Sequence, residues 1–304
     1  MSVRVAINGF GRIGRLTYRA LIESGRDDIK VVGINDLGST KANAHLLKYD
    51  SVHGTLTTDI NVSENNMNAG LGDVQITSET DPSALPWADL DVDVVYECTG
   101  KFTNRDKAAE HLNAGAKKVL ISAPASGVDI TIVYGVNEDL LTSKHTIVSN
   151  ASCTTNCLAP VAKVLNEAVG IKKGFMTTVH AFTGDQRTVD TLHSDLGRAR
   201  AASLNMIPAT TGAARAVGQV LPELDGKLDG VSMRVPTPNV SVVDLCFQSN
   251  RKTTIDEINA AVKVASGSKR FQGVLGYTEL PLVSCDYNHS SYSSFFAAPE
   301  TRVM

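Results

Sequence analysis

A cysteine stands among small hydroxyl-bearing neighbours in Asn150-Ala151-Ser152-Cys153-Thr154-Thr155-Asn156-Cys157, with a second cysteine four positions later. The run from Thr154 to Val169 places Leu158, Val161, Ala162 and Leu165 on one helical face, and Gly170 supplies the stop. Cys153 is therefore expected at a helix N-terminus, where the dipole and free N–H groups favour a thiolate. An ordinary thiol, with a pKa of about 8.5, is only slightly ionised at neutral pH. Lowering that pKa by two to three units takes about 3–4 kcal/mol, more than one helix end usually gives. A nearby imidazolium is needed as well. His180 is the candidate, ending the strand-like stretch "KGFMTTVHAFTGDQ", although a histidine in such a place is also compatible with a structural role. His45, His53, His111, His145, His193 and His289 lie in contexts that read as surface or packing positions.

Cys153 and Cys157 share a helix face, which raises zinc and disulfide readings. Zinc would need two further ligands at recognisable spacing, and an i, i+4 pair is poorly disposed for a disulfide. No metal is expected. Cys157 reads as a buried small residue, and Cys98, Cys246 and Cys285, in apolar strand-like stretches, read the same way. Ser152, Thr154, Thr183, Thr211 and Gly212 offer hydroxyl and backbone donors, with "IPATTGAARAVG" reading as a loop entering a helix. Arg234 interrupts an apolar strand in "VSMRVPTPNVSVVDLCF", and a charge so placed has a fixed anionic partner, either a bound phosphate or a structural carboxylate.

The elements upstream provide a second kind of site. "VRVAINGFGRIGRLTYRAL" is a strand, a glycine turn and a helix, and Gly9-Phe10-Gly11-Arg12-Ile13-Gly14 fits G-x-G-x-x-G. A second strand, 29–34, ends in Asn35-Asp36, with Asp36 22 positions beyond Gly14. That is the dinucleotide-binding unit: glycines admit a pyrophosphate to the helix N-terminus, and the acid receives the ribose hydroxyls. Asp36 would repel a 2′-phosphate, so NAD is expected over NADP. "DVDVVYECTG" reads as a strand with Thr99 and Gly100 at its carboxyl end, "NRDKAAEHLNAGA" as a helix, and "KKVLISAP", "DITIVYGV" and "HTIVSN" as further strands. Strands alternating with helices predict a doubly wound parallel sheet. Between Ser51 and Leu90 the alternation lapses, and Thr57–Val62 and Asp73–Thr77 suggest a small antiparallel insertion.

The chain of 304 residues favours two domains, divided at 1–152 and 153–304. A formal net charge of -3 with 20% charged residues gives no basic excess for nucleic acid and no basic amphipathic stretch for a membrane surface. Five irregularly spaced cysteines do not form a secreted disulfide framework. Without a cleavable leader pattern or a membrane-length apolar run, a cytoplasmic location is expected.

Five collinear stretches, "INGFGRIGR", "LLKYDSVHG", "SNASCTTNC", "TTVHAFTGDQ" and "RVPTPNVSVVDL", resemble the phosphorylating glyceraldehyde-3-phosphate dehydrogenases of bacterial type, and the resemblance runs from Val3 to the end. It implies a Rossmann-type NAD domain and an α+β catalytic domain with a mixed, mainly antiparallel sheet, opening its late helix with a capping box of Thr254 and Glu257. It implies a glycolytic and gluconeogenic oxidoreductase in which Cys153 attacks glyceraldehyde 3-phosphate, His180 assists, hydride passes to NAD, and inorganic phosphate cleaves the thioester to 1,3-bisphosphoglycerate. By the same resemblance Ser152, Thr154, Thr211 and Gly212 line the attacking-phosphate site. Thr183, Asp185, Arg234 and Arg198 serve the substrate phosphate. Asn8, Gly9, Phe10, Gly11, Arg12, Ile13, Asp36, Thr99, Gly100 and Ser122 form the cofactor site. A homotetramer is implied, with 187–205 packing between subunits.

Two departures from the family's pattern stand out. Thr80 replaces a basic residue often found near the adenine. The sequence ends at "ETRVM", where the family continues with a strand, an asparagine-bearing turn and a closing helix; their lack is expected to lower stability and loosen the nicotinamide. The alternatives are a related erythrose-4-phosphate dehydrogenase, against which Thr183 counts, and an NAD-binding protein with impaired turnover.

Overall fold

A computed structural model describes residues 2–304, and these form two compact units. The first contains the chain up to Ile132 together with Leu140–Ala151; the second contains Val133–Asp139 and Ser152–Met304.

The first unit is built on a nine-stranded sheet in the order Ile130–Thr131, Ile147–Ser149, Lys118–Ile121, Val94–Glu97, Val3–Asn8, Ile29–Asn35, Asp73–Thr77, Asn66–Asn68 and Asn61–Val62. The first seven run parallel and the last two pairings are antiparallel. Helices α1 (Arg12–Ser24), α2 (Thr40–Lys48) and α3 (Arg105–Asn113) belong to this unit. Both sheet faces are buried, which explains why the central strands are continuously apolar. Ile7, Val31 and Ile34 pack on one side with Phe10, Tyr18 and Leu21. Ala6, Val32 and Val95 pack on the other with Trp87 and Leu85. Strand order reverses at Val3–Asn8, which pairs with Ile29–Asn35 on one side and Val94–Glu97 on the other, so a switch point opens at their carboxyl ends.

The small antiparallel insertion does form, from Asn61–Val62, Asn66–Asn68 and Asp73–Thr77, and it joins the main sheet because Asp73–Thr77 also pairs in parallel with Ile29–Asn35. Two expected elements differ. Only Asn61–Val62 of the expected 57–62 strand is extended pairing, because its neighbour Asn66–Asn68 is three residues long. The expected strand at 129–136 is cut to Ile130–Thr131: the Val133 N–H goes to the Asn137 side chain at 2.9 Å and the chain turns.

The second unit opens with α4 (Cys153–Val169), which buries Leu158, Ala162 and Leu165 and carries Pro160 in its interior. Its four-stranded sheet runs Ile207–Thr210, Leu228–Val235, Ile171–Ala181, Val242–Ser249. The central pair is parallel and the two outer pairings are antiparallel, giving the mixed sheet. Ile207–Thr210, expected to be loop, is an edge strand, where Pro208 leaves no ladder donor missing on the inner side. It leads to the short helix α5 (Val217–Val220). Thr254 caps α6 (Ile255–Ser266), accepting from the Glu257 N–H at 3.2 Å. Only that half of the expected capping box forms, since the Glu257 carboxylate takes the Thr253 hydroxyl and Arg251. Among the described residues no helix is long and apolar enough to cross a membrane.

Two glycines of the first turn differ in what surrounds them. A Cβ on Gly14 would lie 2.2 Å from the Gly9 carbonyl oxygen, whereas one on Gly11 would meet nothing within 4 Å. Gly14→Ala is expected to cost about 3 kcal/mol in chemical denaturation, and Gly11→Ala less than about 1 kcal/mol. Equal midpoints for the two variants would contradict the tight helix–turn contact.

Candidate active site

Cys153 is the first residue of α4, and Ser152 is its cap: the Ser152 hydroxyl accepts from the Thr155 N–H at 3.0 Å. No acidic residue occupies the first turn, so nothing cancels the positive helix end there. The residue before the cap, Ala151, holds a left-handed φ of 56°. Such strain in a non-glycine residue persists only where surrounding structure enforces it, and it collects at functional sites.

The strand Ile171–Ala181 carries His180 at its end, and its parallel register with Leu228–Val235 sets His180 directly beside Arg234. His180 Nε2 lies 3.4 Å from Cys153 Sγ. Arg234 Nη1 lies 2.7 Å from His180 Nδ1 and 3.1 Å from the Ala181 carbonyl oxygen. Nδ1 thus lies between this donor and the Ala181 carbonyl oxygen, 2.7 Å away, while Nε2 faces the sulfur.

Crowding of protein around Sγ raises the Cys153 pKa, but the hydrogen bond and charge of His180, with hydrogen bonds from Thr154, outweigh it. The thiol is held below the ordinary cysteine range. Cys157, one turn on, is pushed up to about 12 by burial and by the Cys153 charge. Burial likewise takes Cys98 to about 12. The expectation of buried packing fails for Cys246 and Cys285, which are exposed: Cys246 sits on the open face of its strand and Cys285 in a 3-10 turn.

The polar residues around the thiol form two groups. Thr155 Oγ1 donates to the Ala213 carbonyl at 3.2 Å, tying the start of α4 to the loop of Thr211 and Gly212. The Thr211 hydroxyl in turn accepts from the Ala213 N–H at 3.2 Å. Arg234 is half-buried, and its Nε is a buried donor without a partner among the described residues. Burial lowers its pKa, while the Cys153 and Asp185 charges raise it and Arg198 opposes it, so these four groups act on one another. Arg198 donates to Asp185 at 2.7 Å. Asp185 therefore joins this group by orienting a cation; its own carboxylate would repel a phosphate. Thr183, exposed, closes a turn by accepting the Gln186 N–H at its carbonyl.

In the first unit, Gly9 has φ 90°, and a Cβ there would lie 2.7 Å from the Thr99 nitrogen. Gly11 caps α1 without a side-chain bond, leaving the first amides of that helix open toward an anion. Asp36 accepts from the Phe10 and Gly38 N–H groups, each at 2.8 Å, one on each oxygen, so both oxygens retain capacity for ribose hydroxyls. Arg12 is paired with Asp50 at 2.8 Å and Ile13 is exposed. The open space over Gly11, the free amides and Asp36 fit a dinucleotide. Asn8 and Phe10 join this site by backbone only, because the Asn8 side chain is spent in buried hydrogen bonds and the Phe10 ring packs on Tyr18. Gly100 lies in the turn after Val94–Glu97, and Ser122 hydrogen bonds its N–H to the Glu97 carbonyl at 3.0 Å. Beside them is a pocket of about 460 Å³ lined by Thr80, Asp81, Pro82, Phe102, Asp106, Lys107 and Glu110.

Residues 3–105 match the family model for the NAD binding domain of glyceraldehyde 3-phosphate dehydrogenase, and residues 152–304 match the model for its C-terminal domain. The chain belongs to the glyceraldehyde 3-phosphate dehydrogenase family. It is 61% identical over 304 residues to the glyceraldehyde-3-phosphate dehydrogenase of Xanthobacter flavus, covering 100% of this chain and 90% of that protein. The corresponding Cereibacter sphaeroides protein is 59% identical with the same coverage, and that of Geobacillus stearothermophilus 55%. Membership makes the first unit an NAD-binding module and the chain an NAD-dependent oxidoreductase.

One group escaped sequence reading. Glu97, fully buried, bonds Asn8, Thr99 and His111 beneath the dehydrogenase's cofactor turn. Its only signal was an acidic residue closing an apolar strand.

Iodoacetamide should label Cys153 faster than exposed Cys246 and Cys285, and these faster than Cys98 and Cys157. Because His180 favours the thiolate, half-maximal labelling of Cys153 should fall below about pH 8.5, and His180→Asn should move it upward. Peptide mapping of equal, slow labelling at all five thiols would refute an activated nucleophile.

Proposed function

We propose that this chain oxidises and phosphorylates D-glyceraldehyde 3-phosphate to 1,3-bisphosphoglycerate, with Cys153 as nucleophile and His180 as its acid–base partner. The observation that carries this reading is the 3.4 Å contact between Cys153 Sγ and the Nε2 of a histidine held from behind by Arg234. The thiolate adds to the aldehyde carbon, and the new oxyanion takes the proton from His180 Nε2, giving a thiohemiacetal. NAD, when bound, supplies the hydride acceptor that turns this into a thioester. His180 receives the hydroxyl proton in that conversion. Inorganic phosphate then attacks the thioester carbonyl, and Cys153 departs as a thiolate, a leaving group favoured by the same helix end and imidazole that formed it.

Arg234, with its buried unpartnered Nε, and Arg198, aimed by Asp185, supply the cations for the substrate phosphate, with Thr183 adding a hydroxyl. Ser152, Thr154, Thr211 and Gly212, gathered at the start of α4, are assigned to the attacking phosphate. Gly9, Gly11, Arg12, Ile13, Asp36, Thr99, Gly100 and Ser122, with the backbone of Asn8 and Phe10, are assigned to NAD, and the Thr80–Phe102 pocket to its adenine. Val189, Leu192, Leu196 and Leu204 are all exposed on 187–205, a concentration of apolar surface that supports burial against further copies in a homotetramer. A cytoplasmic location suits this chemistry.

The decisive experiment is NADH formation by the 304-residue chain with glyceraldehyde 3-phosphate, NAD and phosphate, resolved into burst and steady state. Steady turnover is expected to require phosphate. Folded protein giving neither burst nor turnover would refute the assignment. Arg234→Ala should raise KM for the aldehyde by about 10- to 100-fold, the loss of a charge-assisted contact. An unchanged KM would remove Arg234 from the phosphate site.

A further inference from the structure

The carboxyl ends of three adjacent strands in the first unit rest on a buried polar cluster that the chemistry above does not use. Glu97 is 1% exposed, and among the described residues no lysine or arginine pairs with it. One oxygen accepts the Thr99 N–H at 2.7 Å and the Thr99 hydroxyl; the other accepts Asn8 Nδ2 at 2.6 Å and His111 Nε2 at 3.0 Å.

Each donor is locked from behind. The Trp87 indole, which can only donate, gives its N–H to His111 Nδ1 at 3.1 Å, so the His111 proton sits on Nε2 and faces Glu97. Asn35 Nδ2 donates to Asn8 Oδ1 at 2.8 Å, so the Asn8 nitrogen must face Glu97. Asn35 is itself fixed by backbone: it accepts the Glu79 N–H at 2.8 Å and donates to the Glu79 carbonyl at 2.9 Å. A carboxylate is the side chain of this size that can accept from all four directions.

The cluster touches both walls of the 460 Å³ pocket. Thr80 follows Glu79, the residue clamped by Asn35. On the other side the Phe102 ring packs edge-on against His111, 6.0 Å between centroids, and Asp106 and Glu110 stand on the same helix as His111. We propose that Glu97 is a positioning residue for the dinucleotide, its fixed acceptor geometry holding the Thr99 turn, the glycine turn after Asn8 and both walls of that pocket in shape for the adenosine half of NAD. This rests on the assignment of the pocket to adenine. A buried anion otherwise opposes a diphosphate nearby, so a role through charge alone would make its neutral isostere bind NAD more tightly.

The test is the NAD dissociation constant of the full chain, by calorimetry, at a temperature well below every variant's unfolding midpoint, where a merely structural residue leaves affinity unchanged. Glu97→Gln points an N–H pair at locked donors whichever way it turns, and should weaken NAD binding at least about tenfold. Trp87→Phe frees His111 to move its proton to Nδ1 and accept from the glutamine. Alone it should weaken binding less than Glu97→Gln does, and combined with Glu97→Gln it should restore several-fold over Glu97→Gln alone. Unchanged or tighter binding by Glu97→Gln, or no recovery in the double variant, would overturn the proposal. Should Glu97→Gln fail to fold, Thr99→Val deletes one donor while keeping the side-chain shape, and unchanged affinity there overturns it equally. Failure of the unmodified chain to bind NAD would instead sink the cofactor assignment itself.

Discussion

The chemistry of the second unit depends on one register. Ile171–Ala181 and Leu228–Val235 run parallel with His180 opposite Arg234, and a slip of either strand by one residue would put the two side chains on opposite faces. With the register kept, Arg234 stands 2.7 Å from His180 Nδ1, and His180 Nε2 meets the thiol at the start of α4. The approach of the imidazole to the sulfur and of the guanidinium to the imidazole are two consequences of one strand pairing. Burial of Sγ pulls its pKa upward, and the hydrogen bond and charge of His180, with the hydrogen bonds of Thr154, together exceed that pull.

Arg234 has two demands upon it. It supports His180 through Nη1, while its Nε remains buried without an acceptor. A buried guanidinium donor left unmet costs free energy, so an anionic ligand gains more here than at an exposed arginine. Arg198 is prepared differently: its partner Asp185 holds it in place at 2.7 Å and offsets its charge. The two arginines thus combine one unsatisfied donor with one pre-aimed cation.

The first unit uses the opposite strategy. Where the catalytic side leaves a donor open, the sheet under the glycine turn satisfies every oxygen of Glu97 with locked donors. Such a network is stable only when all of its members are paired, which makes it rigid and specific at once. Rigidity is what a turn needs when Gly9 and Gly14 leave no space for a Cβ and only Gly11 stands open.

Much of this was legible in the sequence because the signals are local. The glycine spacing, Asp36 at the end of its strand and the 3.6-residue pattern of α4 each lie within one element, where backbone geometry alone fixes the outcome. The long strand at 129–136 and the burial of Cys246 and Cys285 were misread: the Asn137 side chain took the Val133 N–H, and Cys246 lay on the open face of its sheet, while only folding revealed that Asp73–Thr77 ties the antiparallel insertion in parallel to the main sheet. Sequence also named Cys153, His180 and Arg234 as residue types suited to the reaction. Only the tertiary structure decided which imidazole nitrogen faces the thiol, that Asp185 orients a cation, and that Glu97, His111 and Trp87 form one network across 87–111, since hydrogen-bond direction is a property of atoms brought together by folding.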